Sequence, residues 1–165
     1  MARKLLVVLL LLSGWWVSHA ETYLVTPDGT GDFPTIQAAI NSASDGDIIL
    51  LADGVFLGAG NRDITFLGRT VTVQSKADDP SVCILDCQGS EGDPHRGFAF
   101  VSDETRESVL RGITIMNGRM DGWGFVEGSG GAILCEDASP TIEDCVFLHN
   151  TARSGGAVPW SAKRP

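Results

Sequence analysis

Short strands punctuated by glycine, a lone helix-period segment and a self-similar motif together predict an all-β solenoid that opens with one small helix. After Phe56 the apolar residues alternate over short runs between clusters of Gly, Asp, Asn and Pro, the pattern of half-buried strands. No segment of useful length beyond Ala43 returns to helical spacing. Gly130-Gly131-Ala132-Ile133 recurs as Gly155-Gly156-Ala157-Val158, a period of 155 − 130 = 25 residues. A period between about 20 and 50 residues marks repeat architectures. Strands this short, joined by tight turns, suit a β-helix with one coil per repeat better than a propeller blade.

The stretch from Thr22 to Phe56 organises the rest of the chain. It reads as a strand, a turn, a helix, a second turn and a strand. Thr35 suits the N-cap position and Pro34 the residue before it. Ile36, Ala39, Ile40 and Ala43 fall at i, i+3, i+4 and i+7, so one helix face is apolar. A helix this short is not stable alone in water, and it is expected to lie as a lid on the open end of the strand stack. Asp45-Gly46-Asp47 closes it, and Ile48 to Leu51 comes next as a continuous apolar run, expected to be a strand covered on both faces.

Residues 1–20 have a different character. Arg3 and Lys4 precede the apolar run Leu5 to Leu12, and Ser18-His19-Ala20 ends the segment with small residues at −3 and −1. This is the pattern of a secretory signal peptide cleaved after Ala20. The run is shorter than the roughly 20 residues that span a bilayer, and no membrane span is expected after signal removal. A secreted or cell-envelope location is the expectation. Loss of Arg3 and Lys4 leaves 12 − 2 = 10 basic residues against 21 acidic ones, a formal charge of 10 − 21 = −11. A phosphate backbone would be repelled, so nucleic acid is not an expected partner.

The four cysteines are Cys83, Cys87, Cys135 and Cys145. Cys83 and Cys87 share one extended segment and stand about 13 Å apart at roughly 3.3 Å per residue, too far for a disulfide without a bend. Cys135 and Cys145 flank a turn and are able to meet. The alternatives are buried small hydrophobes, one disulfide, or a metal site, the last poorly served by the spacing of His95 and His149.

The strands expected next are Arg62–Phe66, Thr70–Gln74, Val82–Cys87, Phe98–Val101 and Ser108–Met116. The last resembles Ser139–Asn150 as a degenerate copy, with Ile113 and Ile115 in the inward places that Cys145 and Phe147 take later. Val71 and Val73 are candidates for the same column. Asn117 and Asn150 fall at turns, where an amide can bond local backbone.

The residues Asp28 to Ile40, D-G-T-G-D-F-P-T-I-Q-A-A-I, and Gly46 to Phe56, G-D-I-I-L-L-A-D-G-V-F, resemble the N-terminal cap and first coil of right-handed parallel β-helix proteins, the pectin-lyase-like superfamily. The G-G-A-I and G-G-A-V segments, with F-x-x-N at Phe147 to Asn150, are similar to the repeats of polymorphic outer-membrane proteins. The resemblance covers Thr22 to Val158. It implies a right-handed parallel β-helix with a short N-terminal capping helix. It does not fix an activity, because the superfamily includes lyases, hydrolases, esterases and adhesins.

A catalytic set is not apparent, and no cofactor or metal ligand is assigned. Calcium belongs only to the lyase alternative, in which an Asp cluster would hold it beside an Arg or Lys base. Asp28, Asp32, Asp45, Asp47, Asp78 and Asp79 sit in Gly/Pro turns, where Asp suits the backbone geometry. Asp63, Asp86 and Asp144 are the carboxylates on strand segments, and nothing in the sequence places them together. The esterase segments of this fold have no counterpart here. Gly60-Asn61-Arg62-Asp63 and Asp93-Pro94-His95-Arg96 are the most polar segments, each expected to be a solvated turn. Trp123, in Gly122-Trp123-Gly124-Phe125, is expected to anchor a loop on the flank, with a sugar-stacking platform as the alternative.

Past Val158 the chain reads Pro159-Trp160-Ser161-Ala162-Lys163-Arg164-Pro165, basic where the rest is acidic. A last coil needs a cap, so the expectation is a repeat domain at 21–158, truncated from a longer protein, with a non-repeat tail at 159–165. The function expected is an exported, non-catalytic module that binds a polysaccharide or a cell-surface partner; the alternative is a polysaccharide lyase or glycoside hydrolase, or its N-terminal piece. Expressed with an intact leader, the chain is expected in the exported fraction with Glu21 as its first residue, read by N-terminal sequencing; a retained chain beginning at Met1 refutes the leader.

Overall fold

A computed structural model of the chain describes residues 19–123, 125–154 and 160–161. Residues 1–18 of the expected leader, the second Gly-Gly-Ala segment at 155–158, Pro159 and residues 162–165 lie outside the described residues. The fold is mostly β, with strands that stack in parallel sheets. Strand β1 (Thr22–Val25) comes first, followed by the helix α1 (Ile36–Ser42). The chain then makes four passes. The first is β2 (Ile48–Leu51), β3 (Gly54–Phe56) and β4 (Ile64–Thr65); the second is β5 (Thr72–Ser75), β6 (Cys83–Asp86) and β7 (Phe98–Phe100). The third is β8 (Val109–Arg111), β9 (Thr114–Met116), β10 (Arg119–Met120), the one-turn helix α2 (Phe125–Gly128) and β11 (Ile133–Glu136). The fourth is β12 (Thr141–Glu143), β13 (Val146–Leu148), β14 (Thr151–Ala152) and β15 (Trp160–Ser161).

Each pass adds one strand to each of three sheets. Their orders are β1-β2-β5-β8-β12, β3-β6-β9-β13 and β4-β7-β11-β15, and β10 and β14 form a small fourth ladder. Among the described residues every pair of named strands is parallel. Register is kept while loops vary. The offset between partners is 73 − 49 = 24 residues for Ile49 and Val73 but 110 − 73 = 37 for Val73 and Leu110. The 25-residue period of the Gly-Gly-Ala motif reappears between Cys135 and Trp160, 160 − 135 = 25, so Trp160 and Ser161 of the expected tail pair with β11.

Side chains stack in columns across these ladders. In the second sheet Phe56 pairs with Leu85, Leu85 with Ile115 and Ile115 with Phe147; the first three are fully buried and Phe147 is half-buried. Ile115 and Phe147 thus hold the equivalent places expected of them. Val73 does not share their column. It pairs with Ile49 and Leu110 in the first sheet, since alternation marks an inward residue without saying which sheet it faces. In the third sheet Phe98 lies opposite Ile64 and Ile133, and Phe66 packs on Phe100 with ring centroids 4.7 Å apart.

Ile48–Leu51 also departs from expectation. Ile49 and Leu51 are buried while Ile48 and Leu50 are half-buried, so only one face of β2 looks into the core. Ser108–Met116 is not one strand but two, in different sheets, broken at Gly112 with φ of +67°. A Cβ at Gly112 would also come within 3.3 Å of Ser75 Cβ. Asn150 bonds across passes rather than locally: its Oδ1 accepts from Gly118 N at 2.7 Å and its Nδ2 donates to Ile115 O at 2.8 Å. Asn117, at φ of +56°, donates from Nδ2 to Asp86 Oδ1 at 3.0 Å.

The helix sits where a lid is expected. Ile36, Ala39 and Ile40 are fully buried in the core. Thr35 Oγ1 accepts from Ala38 N at 3.2 Å as the N-cap, and Asn61 Oδ1 takes the Ile36 N–H at 3.0 Å, satisfying a second free donor of the first turn. At the other end the Arg69 guanidinium donates to the carbonyls of Ala43 and Asn41. Gln37 does for β4 what a neighbouring strand would do: its Oε1 accepts from Thr65 N at 2.9 Å and its Nε2 donates to Thr65 O at 3.1 Å. An edge strand is thereby closed.

Asn61→Ala is expected to lower stability by about 1–3 kcal/mol, because it strips the buried partners of Ile36 N–H and Leu57 C=O. Ile115→Ala is expected to cost about 2–5 kcal/mol through the cavity it opens. Urea denaturation followed by circular dichroism measures both; equal, near-zero losses would contradict this account of the lid and the column.

Candidate functional site

The two polar segments expected as separate turns form one cluster. Asp63, in the left-handed region at φ of +54°, precedes β4 and places Oδ2 2.5 Å from His95 Nδ1. Its Oδ1 accepts from Arg96 N at 3.0 Å. Asp93 Oδ1 stands 3.1 Å from His95 Nε2, close enough for charge pairing but not aligned as a hydrogen bond. The segments are solvated only in part: the Asp63 and Asp93 side chains are exposed, but the His95 side chain is 18% exposed, Arg96 5% and Asn61 5%. Burial pulls the Arg96 guanidinium below its ordinary pKa, with Asp63 and Glu127 opposing the shift. Arg62 Nη1 donates to Cys87 O at 3.2 Å, tying the first pass to the second.

A histidine between two carboxylates invites an acid–base reading, but neither ring nitrogen is open in this structure. A general base must reach its proton in the substrate, and His95 Nε2 is buried while Nδ1 is taken by Asp63. The two carboxylates lie at opposite ring nitrogens. Among the described residues no group of three His, Cys, Asp or Glu side chains is placed to hold a metal.

Asp63, Asp86 and Asp144 do not come together. Asp86 ends β6 and accepts from Gln88 N and Asn117 Nδ2, both at 3.0 Å. Asp144 makes the corner between β12 and β13 at φ of +50°. The turn aspartates act on backbone and hydroxyl donors, except Asp78, whose Oδ2 accepts from Arg111 Nη2 at 2.8 Å. The Thr26 and Thr30 hydroxyls hold the Asp28 carboxyl below its ordinary pKa, and Ser81 does the same for Asp79. Asp47 is buried and accepts from Glu21 N at 2.8 Å and Ser44 N at 2.7 Å; Asp45 accepts from Thr70 N at 2.9 Å. Glu104, 2% exposed, escaped the sequence reading. Its carboxylate accepts from Gly68 N at 3.0 Å and Ser102 N at 2.8 Å, and no local pattern distinguishes it from a solvated loop glutamate.

An open groove lies next to the cluster. It has a volume of about 340 Å³ and is lined by Arg119, Met120 and Asp121 of the third pass and Thr151, Ala152 and Arg153 of the fourth. The cluster supports it directly, since Arg119 N donates to His95 O at 2.8 Å. Arg119 Nε pairs with Asp121 Oδ2 at 2.9 Å and its Nη2 lies 3.7 Å from Glu91. The Gly-Gly-Ala motif flanks the groove for a steric reason. A Cβ at Gly131 would stand 2.3 Å from Thr151 O, so only glycine lets the backbones approach this closely.

Trp123 is 87% exposed, which overturns its expected place as an anchor packed on the flank. The Arg153 guanidinium carbon lies 3.7 Å from the centre of its ring, a cation–π contact. Arg153 Nε also donates to Asp121 O at 3.3 Å. The loop after β10 thus holds the indole out beside the groove rather than against the sheets.

Comparison with protein-family models, with curated proteins and with solved structures finds no match to this chain. Among the described residues no helix is long and apolar enough to cross a membrane.

All four cysteines are free thiols. Cys83, Cys87 and Cys135 are buried and Cys145 is half-buried. Cys135 and Cys145 do not meet, because β12 runs between them and takes the chain into a different sheet. Burial pushes the Cys83, Cys87 and Cys135 thiols from an ordinary 9.0 up to about 12. In the unfolded chain they ionise near their ordinary value while the folded protein keeps its protons, so the unfolded state binds fewer protons over that window. Stability should therefore fall as pH rises from 9.0 to about 12, by about 1.4 kcal/mol per pH unit for each thiol. Thermal melts across this range check it, with a Cys83→Ala, Cys87→Ala, Cys135→Ala variant expected to show a shallower decline.

Proposed function

We propose that the chain is an exported right-handed parallel β-helix of the pectin-lyase-like kind, serving as a non-catalytic module that binds carbohydrate at a cell surface. Three parallel sheets that each gain one strand per pass support the architecture, together with the lid formed by α1. The observation that carries the binding role is Trp123, exposed beside a groove and backed by Arg153. An indole face stacks on the C–H face of a sugar ring while polar neighbours meet its hydroxyls. The enzyme alternative would need an acid or base able to reach a substrate, and His95, the residue nearest that role, has Nδ1 bonded to Asp63 and Nε2 buried.

The mature chain should co-sediment with insoluble polysaccharide and release no product. Incubation with polygalacturonate and with neutral polysaccharides, with and without added calcium, is read by absorbance for unsaturated ends and by a reducing-end assay. Product release that survives Trp123→Ala but not His95→Ala would favour the enzyme instead.

A further inference from the structure

Resting on that reading, the geometry points to a neutral glycan as the occupant of the Trp123 groove, not a uronate or other polyanion. A polyanion site needs cations free to meet it. Of the two cations that line this groove, Arg119 is ion-paired with Asp121 and Glu91, while Arg153 lies over the Trp123 ring with its Nε donating to Asp121 O. The Asp121 carboxylate stands in the lining itself, and Glu91, 90% exposed, adds a second negative charge at Arg119. The whole chain carries a formal −9, so a polyanion meets repulsion at long range, and at contact the charges of Arg119 and Arg153 are offset by those of Asp121 and Glu91, leaving no net positive charge to hold it.

A neutral sugar fits the same residues. Its hydroxyls both donate and accept, and can therefore join the Arg119–Asp121 pair without breaking it. Its apolar face needs one flat aromatic surface, which Trp123, beside the groove, supplies on the ring face that Arg153 does not cover. The groove, at about 340 Å³, is at the small-ligand end of binding sites, which run from about 300 to 1,000 Å³. A protein partner is less well served, since interfaces place several apolar anchors in a dry core. Met120, the large apolar side chain in the groove lining, is 8% exposed.

The test is calorimetric titration of the mature chain with cellohexaose, xylohexaose and a galacturonate hexamer, at low and moderate salt. At least one neutral hexamer should bind with little salt dependence, weaken about tenfold in Trp123→Ala, and recover in Trp123→Phe. Unchanged circular dichroism in both variants separates loss of the platform from loss of fold. Binding of the galacturonate alone, falling steeply with salt, would overturn the inference and leave the carbohydrate-binding reading standing. Binding of no hexamer, whether or not Trp123 captures a protein partner, would overturn both.

Discussion

Parallel strands in register, about 4.8 Å apart, impose one demand on every inward position: its side chain must fit the residue above and the residue below. Phe56, Leu85, Ile115 and Phe147 meet it in the second sheet, and Ile49, Val73 and Leu110 in the first. The rest of the molecule adjusts to that demand. Loops lengthen or shorten between passes, as the offsets of 24 and 37 residues show, while partners stay paired. Corners are turned by residues that tolerate the left-handed region, Gly112 and Asp144 among them.

A stack of this kind has an exposed first layer, and here several devices close it at once. α1 lays Ile36, Ala39 and Ile40 on the core, and the backbone groups that packing alone would leave unmet are taken by side chains. Gln37 serves both polar groups of Thr65, Asn61 serves Ile36 and Leu57, and Arg69 serves the end of the helix. A buried backbone group without a partner costs about as much as a lost hydrogen bond, so these three polar residues are as much a part of the lid as its apolar face.

The same ties position the outer surface. Asp63 and His95 fix the loop before β7 to the start of β4, His95 holds β10 through its carbonyl, and β10 forms one wall of the groove. The fourth pass supplies the other wall, and Arg153 from that pass reaches Trp123 on the third. The groove is therefore built from residues about thirty positions apart that only the stacking of passes brings together.

Local chemistry alone determined a good deal. The helix over Ile36–Ser42, its Thr35 cap, the short strands and the equivalence of Ile115 with Phe147 were all readable, because spacing, capping and alternation act over a few residues. Which sheet a strand joins was not readable. Val73 and Ile115 alternate alike yet stand in different sheets, since alternation says inward without naming the wall. Nor could the sequence bring Asp63 to His95, bury Arg96 and Glu104, or part Cys135 from Cys145. Those outcomes depend on where corners fall and how passes stack, and contacts between residues thirty apart leave no mark on the residues beside them.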